Sequence, residues 1–323
     1  LLLRRLLAGV PVLAIVVLGT FLMLELAPGD AVDAYVVQAG GDAGFAAELR
    51  QAWGLDQGPS ARLLVYLTAL ARGDLGHSVV FNKPVIAVIL ERLPATALLA
   101  AAALSLSFAL GSLIGVAAGA RPGSLRDRGL TTLALALYAV PGFWLALVLV
   151  LVFAVQWRLL PVSGFETIAS GKVGLERAAD IARHFVLPVA SLALIYLALY
   201  ARVMRAGMAE AWRQDFVRAL RARGISRTRI VWRHVARNAL LPLVTMLGLQ
   251  SASLIGGSVV IESVFALPGI GRLAQEAVAG RDSALLVGII LMSAVAVIVL
   301  NVIVDLVYGL IDPRVGSGEE VKA

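Results

Sequence analysis

The sequence predicts an all-α membrane protein with six transmembrane helices. Three observations carry that expectation. The 323 residues are 60% hydrophobic and only 15% charged, where a soluble domain holds about 45–50% apolar and about 25% charged residues. Mean hydropathy is +0.89. Six runs of about 20 residues carry no Asp, Glu, Lys, Arg or His, and lipid accepts a backbone only when it is closed on itself as a helix.

The runs are Leu6–Leu24, Ala95–Ala120, Gly129–Gln156, Phe185–Ala201, Ala239–Ile261 and Ala284–Val304. The first could pass for a secretory signal, but it is 19 residues long and no small-residue cleavage site follows, so it is expected to be a retained span. The chain starts at Leu1 and is expected to lack at least an initiator. The fourth run is the shortest and is expected to continue as helix past Arg202 towards Met208, with Pro188 in its first turn. Six spans put both termini on one side, and Arg4 and Arg5 assign that side to the cytoplasm. The inner segments then hold 17 Lys/Arg against 7 acids and the outer segments 11 against 14, which obeys the positive-inside rule.

Three outer pieces separate the spans. Residues 25–94 have turn signals at "APGD" (27–30) and "GDLG" (73–76), and a Leu/Ala-rich stretch, 61–71, expected to be a helix on the membrane or against the spans. Residues 157–184 form a second outer loop. The third, 262–283, is expected to break at Pro268-Gly269 and resume as a short helix with Leu273, Ala277 and Val278 on one face. The domain organisation expected is an N-terminal span and long outer loop (1–94), a core membrane domain (95–312) and a short cytoplasmic tail (313–323).

Several chemistries have no residues to carry them. The chain has no cysteine, hence no disulfide framework or thiolate nucleophile. His77, His184 and His234 fall on three different segments, with no metal-ligand spacing, and each reads as an interfacial polar residue. The only Gly-Lys pair, Gly171-Lys172, is followed by Val173, so there is no P-loop; no G-x-S-x-G element occurs either. An ion-driven carrier needs ionisable groups at mid-membrane depth, and the six runs have none. They do contain Ser105, Ser107, Ser112, Gln250, Ser251, Ser253, Ser258 and Asn301. The serines are expected to bond their own helix backbone or to join helices. Gln250, Ser251 and Asn301 are the candidates for lining a pathway or an interface.

Ten arginines lie in one inner loop, 202–238. There Asp215 can cap a helix with apolar positions Phe216, Leu220 and Ala219; Gly224 suits the left-handed residue that ends it; Ser226 can cap the next. Two helices meeting at a glycine corner make an elbow. The arginines alone would serve topology and lipid headgroups, and a short loop pinned at both ends to a membrane is a poor nucleic-acid reader. The helix–corner–helix pattern favours docking of a cytosolic partner.

Nearly end to end, the chain resembles the membrane subunits of ATP-binding-cassette (ABC) importers of the dipeptide/oligopeptide/nickel type, and within them the B-type subunit. The resemblance is carried by "RRLLAGVPVL" with "LAPGD", "GLD" (54–56), "GDLGHS" (73–78), "RLPAT" (92–96), "PGFWLALVLVLVFA" (141–154) and "LLPVSG" (159–164). It continues through "DFVRALRARGISRTRIVWRHVARNALLPLVT", "GLQSASLIGGSVVIESVFALPGIGRL", "RD" (281–282) and "NVIVDLVYGLIDPR" (301–314).

The resemblance implies a type I ABC importer permease fold and a bacterial inner-membrane location with both termini cytoplasmic. It also implies four kinds of company: a second homologous permease subunit, two cytosolic P-loop ATPase subunits, an extracytoplasmic solute-binding protein and the lipid bilayer. No cofactor is expected on this chain, ATP and Mg being held by the ATPases, and the subunit is expected not to be an enzyme. The family's coupling helix maps to Asp215, Phe216, Ala219, Leu220, Arg221, Ala222 and Gly224, with Asp215 and Arg221 as the polar contacts to the ATPase. One departure is visible. The general importer signature opens with Glu-Ala-Ala six residues before its glycine, where this chain has Arg218-Ala219-Leu220. Dipeptide, oligopeptide, nickel chelate, glutathione and sugar all remain open as substrate, peptide being the commonest of the resembling family. A self-contained channel or ion-coupled carrier is the alternative, and a membrane-bound enzyme the third option.

Overall fold

The computed structural model describes residues 2–26, 44 and 58–311. The "APGD" and "GLD" segments and the 313–323 tail lie outside the described residues. The elements are α1 (Leu2–Leu26), α2 (Pro59–Ala71), a two-residue hairpin β1 (His77–Ser78) with β2 (Lys83–Pro84), α3 (Val85–Gly119), α4 (Leu125–Ala139) and α5 (Gly142–Leu149), which continues as a π-helical turn through Gln156. They are followed by α6 (Gly174–Ala211), α7 (Asp215–Ala222), α8 (Arg227–Arg229) with a π-helical turn Ile230–Val235, α9 (Ala236–Val264), α10 (Ile270–Ala279) and α11 (Ser283–Ile311). All six apolar runs are helical. Among the described residues, α3, α6 and Ser283–Ile303 of α11 have both the length and the hydropathy to cross a membrane, and α4 with α5 makes a fourth crossing if taken as one span.

The helices outrun the apolar runs because a helix ends where caps and turns end it, not at the first charge. Helix α6 begins at Gly174, so Pro188 sits in its interior rather than in its first turn, and the second outer loop shortens to 157–173. The third apolar run is broken at Val140-Pro141, and its halves are inclined by 99°. Proline removes one ladder hydrogen bond and disfavours helix in the residue before it; Val140 is accordingly extended, at φ −81° and ψ 129°. The break does not return the chain to the side it came from. Asp127 pairs with Arg205, Ala134 packs on Ala198 and Ala201, Gly142 faces Ile195, and Arg183 donates to the Leu159 carbonyl. Partners on α6 recede steadily towards its start, so α4 and α5 form one bent crossing antiparallel to α6.

The chain divides into two compact units. The first holds residues 1–95 and 268–299. Val17 of α1 packs with Val287, Leu291, Tyr66 and Leu70, so the expected helix at 61–71 exists and lies against two spans. Thr20 Oγ1 and Tyr66 Oη are 3.2 Å apart, and Arg62 pairs with Glu25. Asp282 is 1% exposed and caps α11: it accepts from Leu285 N at 3.0 Å, from Ser78 Oγ at 2.6 Å and from Val80 N at 3.1 Å. Helix α10 forms as expected, but its inward face is Ile270, Leu273 and Ala277, while Val278 is 61% exposed. A step of three or four residues from Ile270 reaches Leu273 and Ala277 and leaves Val278 about 100° round the helix.

The second unit holds 96–267 and 300–323, with α6 at its centre. Gly111, Gly115 and Gly119 of α3 face Tyr200, Met204 and Met208 of α6 in register, and a Cβ on any of the three would overlap a side-chain Cβ there. A glycine every fourth residue makes one smooth stripe, which lets two helices in lipid approach to backbone contact. Because both sets advance together, α3 and α6 run parallel. Two apolar clusters lie along α6. One joins Leu99, Ala146, Phe185, Leu192, Ile261 and Phe265; the other joins Val116, Met204, Met208, Val217, Ile230, Val235 and Leu243.

Buried polar groups appear where the apolar runs stop. Glu262, one residue past the fifth run, was expected in a loop; it lies inside α9 with no exposure and accepts from Thr96 Oγ1 at 2.7 Å. Asp180 accepts from Thr167 N at 2.7 Å, from Thr167 Oγ1 at 2.9 Å and from Lys172. His184 is buried rather than interfacial, with Nδ1 2.8 Å from the Asp180 carbonyl. The Arg177 guanidinium beside Glu166 holds that carboxyl below its usual range. Ser107 and Ser112 bond the carbonyls of Leu104 and Phe108, as expected of hydroxyls in a lipid-facing helix.

Candidate functional site

The loop between α6 and α9 is built as an elbow. Helix α7 runs from Asp215 to Ala222, eight residues with two distinct faces. Val217 is 1% exposed and half-buried Phe216 and Leu220 flank it, all three packed on the cluster that contains Met208, Ala211, Ile230 and Val235. Asp215, Arg218, Ala219, Ala222 and Arg223 are exposed on the other face. An eight-residue helix is too short to hold itself together in water; the anchoring of Phe216, Val217 and Leu220 is what keeps it formed.

Capping differs from expectation at the start and agrees at the end. Gln214, not Asp215, is the N-cap; Asp215 is the first helical residue, and its carboxylate meets Arg218 at 3.2 Å. That pair is open to water and contributes at most about 1 kcal/mol, but an acid in a first turn also suits the helix dipole. At the far end Gly224 takes φ +72°. Its N–H donates to the Arg221 carbonyl at 2.9 Å and the Ile225 N–H to the Leu220 carbonyl at 3.2 Å. This is a Schellman ending, with Ile225 and Leu220 sharing the same apolar cluster. Ser226 occupies the next N-cap position, but its side chain makes no capping bond.

Trp212, which no local pattern singled out, ties the elbow to the end of α3. Its Nε1 donates to the Gly119 carbonyl at 2.9 Å, and the Arg221 and Arg227 guanidiniums stand over its ring at 5.1 and 5.5 Å. Arg227 also donates to the Ala120 carbonyl at 2.9 Å. Two of the loop's arginines are therefore structural, and the carbonyls of Gly119, the last residue of α3, and of Ala120 just after it find donors here. Cation–π contacts of about 0.5–1 kcal/mol each and a hydrogen bond of about 1 kcal/mol make Trp212→Ala cost roughly 2–3 kcal/mol of loop anchoring. Limited trypsin digestion should then cut at Arg218–Arg229 several-fold faster than in the parent; an unchanged rate would assign the anchoring elsewhere.

The remaining predicted site residues are dispersed. Gln250 is half-buried on α9 and Asn301 is exposed on α11; the side chain of Ser251 lies outside the described residues. They are not brought together with the elbow.

Comparison with known proteins shows the family. Residues 111–317 match the family described as binding-protein-dependent transport system inner membrane component. The chain is 37% identical over 328 residues to the di/tripeptide transport system permease protein DppB of Pseudomonas aeruginosa, covering 97% of each chain. It is 37% identical over 316 residues to a putative peptide transport system permease protein of Brucella abortus, covering 98% of each. A solved structure of the inward-facing MetNI methionine ABC transporter shares the fold, with TM-score 0.56, 16% identity and coverage of 70% of this chain and 97% of that one. From elbow, spans and whole-length kinship together, the chain belongs to the family of inner membrane components of binding-protein-dependent transport systems.

Proposed function

We propose that the chain is the permease of a peptide importer, forming half of a translocation path with a second, homologous permease. The observation that carries this reading is the similarity, over 97% of both chains, to a permease named for di- and tripeptide transport. Helix α7 supplies the coupling surface: Asp215, Ala219 and Ala222 face outward to meet a cytosolic ATPase, with Arg221 and Gly224 beside them, while Phe216 and Leu220 hold the helix to its own chain. Small alanines between charged residues leave a shallow strip on which a cleft of another protein can close. ATP and Mg belong to two such ATPases, the solute arrives on an extracytoplasmic binding protein, and both termini lie in the cytoplasm.

Reconstitution tests the reading. With its second permease, ATPases and binding protein in proteoliposomes, the chain should take up labelled di- or tripeptide only when ATP is supplied. Flux through the chain alone, without ATP, would make it a channel or carrier instead. Labelling of an Ala222→Cys variant only from the cytoplasmic side should accompany uptake; labelling only from outside would reverse the topology.

A further inference from the structure

We propose that the groove between α3, α6 and the start of α9 holds an anionic phospholipid, its phosphate on Arg233 and Arg237 and an acyl chain along α3. Val116 and Met204 form a buried floor. Leu113 and Trp232, at 50% and 55% exposure, form the rims, and Leu240 continues the groove. Arg233 and Arg237 line the same groove, both exposed. Among the described residues neither makes an ion pair or hydrogen bond, in contrast to Arg221 and Arg227, which are spent on Trp212 and the α3 carbonyls.

The chemistry selects the occupant. Arginines one helical turn apart have Cβ atoms about 5–6 Å from each other, a spacing from which both guanidiniums can reach and fork onto one phosphate. A free anion would explain the arginines but not the apolar trough that leaves them. Leu113, Leu110 and Leu106 are all exposed along one stripe of α3, giving about 10 Å of apolar rim, a length suited to an acyl chain. An indole at the junction of charge and apolar surface is the usual boundary residue of a membrane interface. Basic pockets between helices on the cytoplasmic side are where anionic headgroups bind; that side follows from the topology proposed above.

The test uses the full chain in a neutral detergent, where sidedness plays no part, so its failure is separable from failure of the importer reading. Phosphatidylglycerol or phosphatidylcholine is titrated in and bound lipid is counted by native mass spectrometry. Phosphatidylglycerol should bind in preference. Each arginine is worth about fivefold, so the double variant Arg233→Gln/Arg237→Gln should bind it on the order of twentyfold more weakly, with phosphatidylcholine unaffected. Arg202→Gln, an exposed charge elsewhere, should leave binding unchanged and controls for net charge. Lysines at both positions should retain most of the preference, and excess inorganic phosphate should fail to displace the lipid. Equal binding by parent and double variant would overturn the proposal, as would displacement by phosphate. A Trp232→Cys cross-link to the second permease in the assembled importer would assign the groove to that subunit and overturn it too.

Discussion

Gly224→Val is expected to abolish coupled uptake while leaving the chain inserted in the membrane. No atom lies within 4 Å of where a Cβ would stand, so space is not the obstacle. The obstacle is φ +72°, which costs an L-residue roughly 1–2 kcal/mol and is worst for a β-branched one. If the backbone relaxes out of that region, the bonds from Gly224 to Arg221 and from Ile225 to Leu220 are lost instead, at about 1 kcal/mol each. Either route removes the ending of an eight-residue helix and re-aims Asp215, Ala219 and Ala222. The measurement is the ratio of peptide transported to ATP hydrolysed in proteoliposomes. It should collapse in Gly224→Val and largely survive in Gly224→Asn, because asparagine tolerates the left-handed region. Unchanged coupling in the valine variant would remove the elbow from the mechanism.

Gly115→Ala is expected to be the most damaging single-methyl change in the spans. Its new Cβ would overlap both the Met204 Cβ and the Ala201 carbonyl oxygen, and the second of these belongs to backbone that cannot rotate away. The two helices must separate, at about 1–3 kcal/mol for overpacking, or roughly 2–12 °C in apparent Tm for a chain of this size. Gly129→Ala, where nothing lies within 4 Å, controls for composition and should be neutral or slightly stabilising through helix propensity. Thermal unfolding of the two variants in detergent decides it; matching melting points would mean that α3 and α6 are not in backbone contact.

These two glycines also mark what a sequence can reveal. Gly224 was legible because its role is local: a left-handed helix ending follows from the chain on either side of it. Gly115 was not, because a stripe at 111, 115 and 119 gains meaning only from what faces it. Trp212 carries no local signal at all; the carbonyl it donates to, that of Gly119, lies over ninety residues away. Hydropathy located a helix at each of the six apolar runs, but it passed over the Val140-Pro141 break, since a kinked helix is as uncharged as a straight one. It also misassigned Glu262, where a charge at the end of an apolar run reads as solvent although Thr96 receives it inside. Asp215, Ala219 and Ala222 lie on the helix expected there, and all three are exposed. Phe216 and Leu220 were legible as its apolar positions, but Ala219, expected with them, is exposed, and Val217, the residue buried most deeply, was missed; only tertiary packing shows which side chains bind their own chain.

The bonds that join Trp212 and Arg227 to the last carbonyls of α3 have a mechanical consequence. Besides its continuation into α9, the elbow is fixed at two feet, the end of α6 from which it emerges and the end of α3 to which it is pinned, and those two rods lie against each other without a cushioning layer of side chains. A load applied to α7 therefore has no soft joint in which to dissipate. On the coupling role proposed above, such a load would tip α3 and α6 together, as a lever whose short arm is the elbow and whose long arms are the spans.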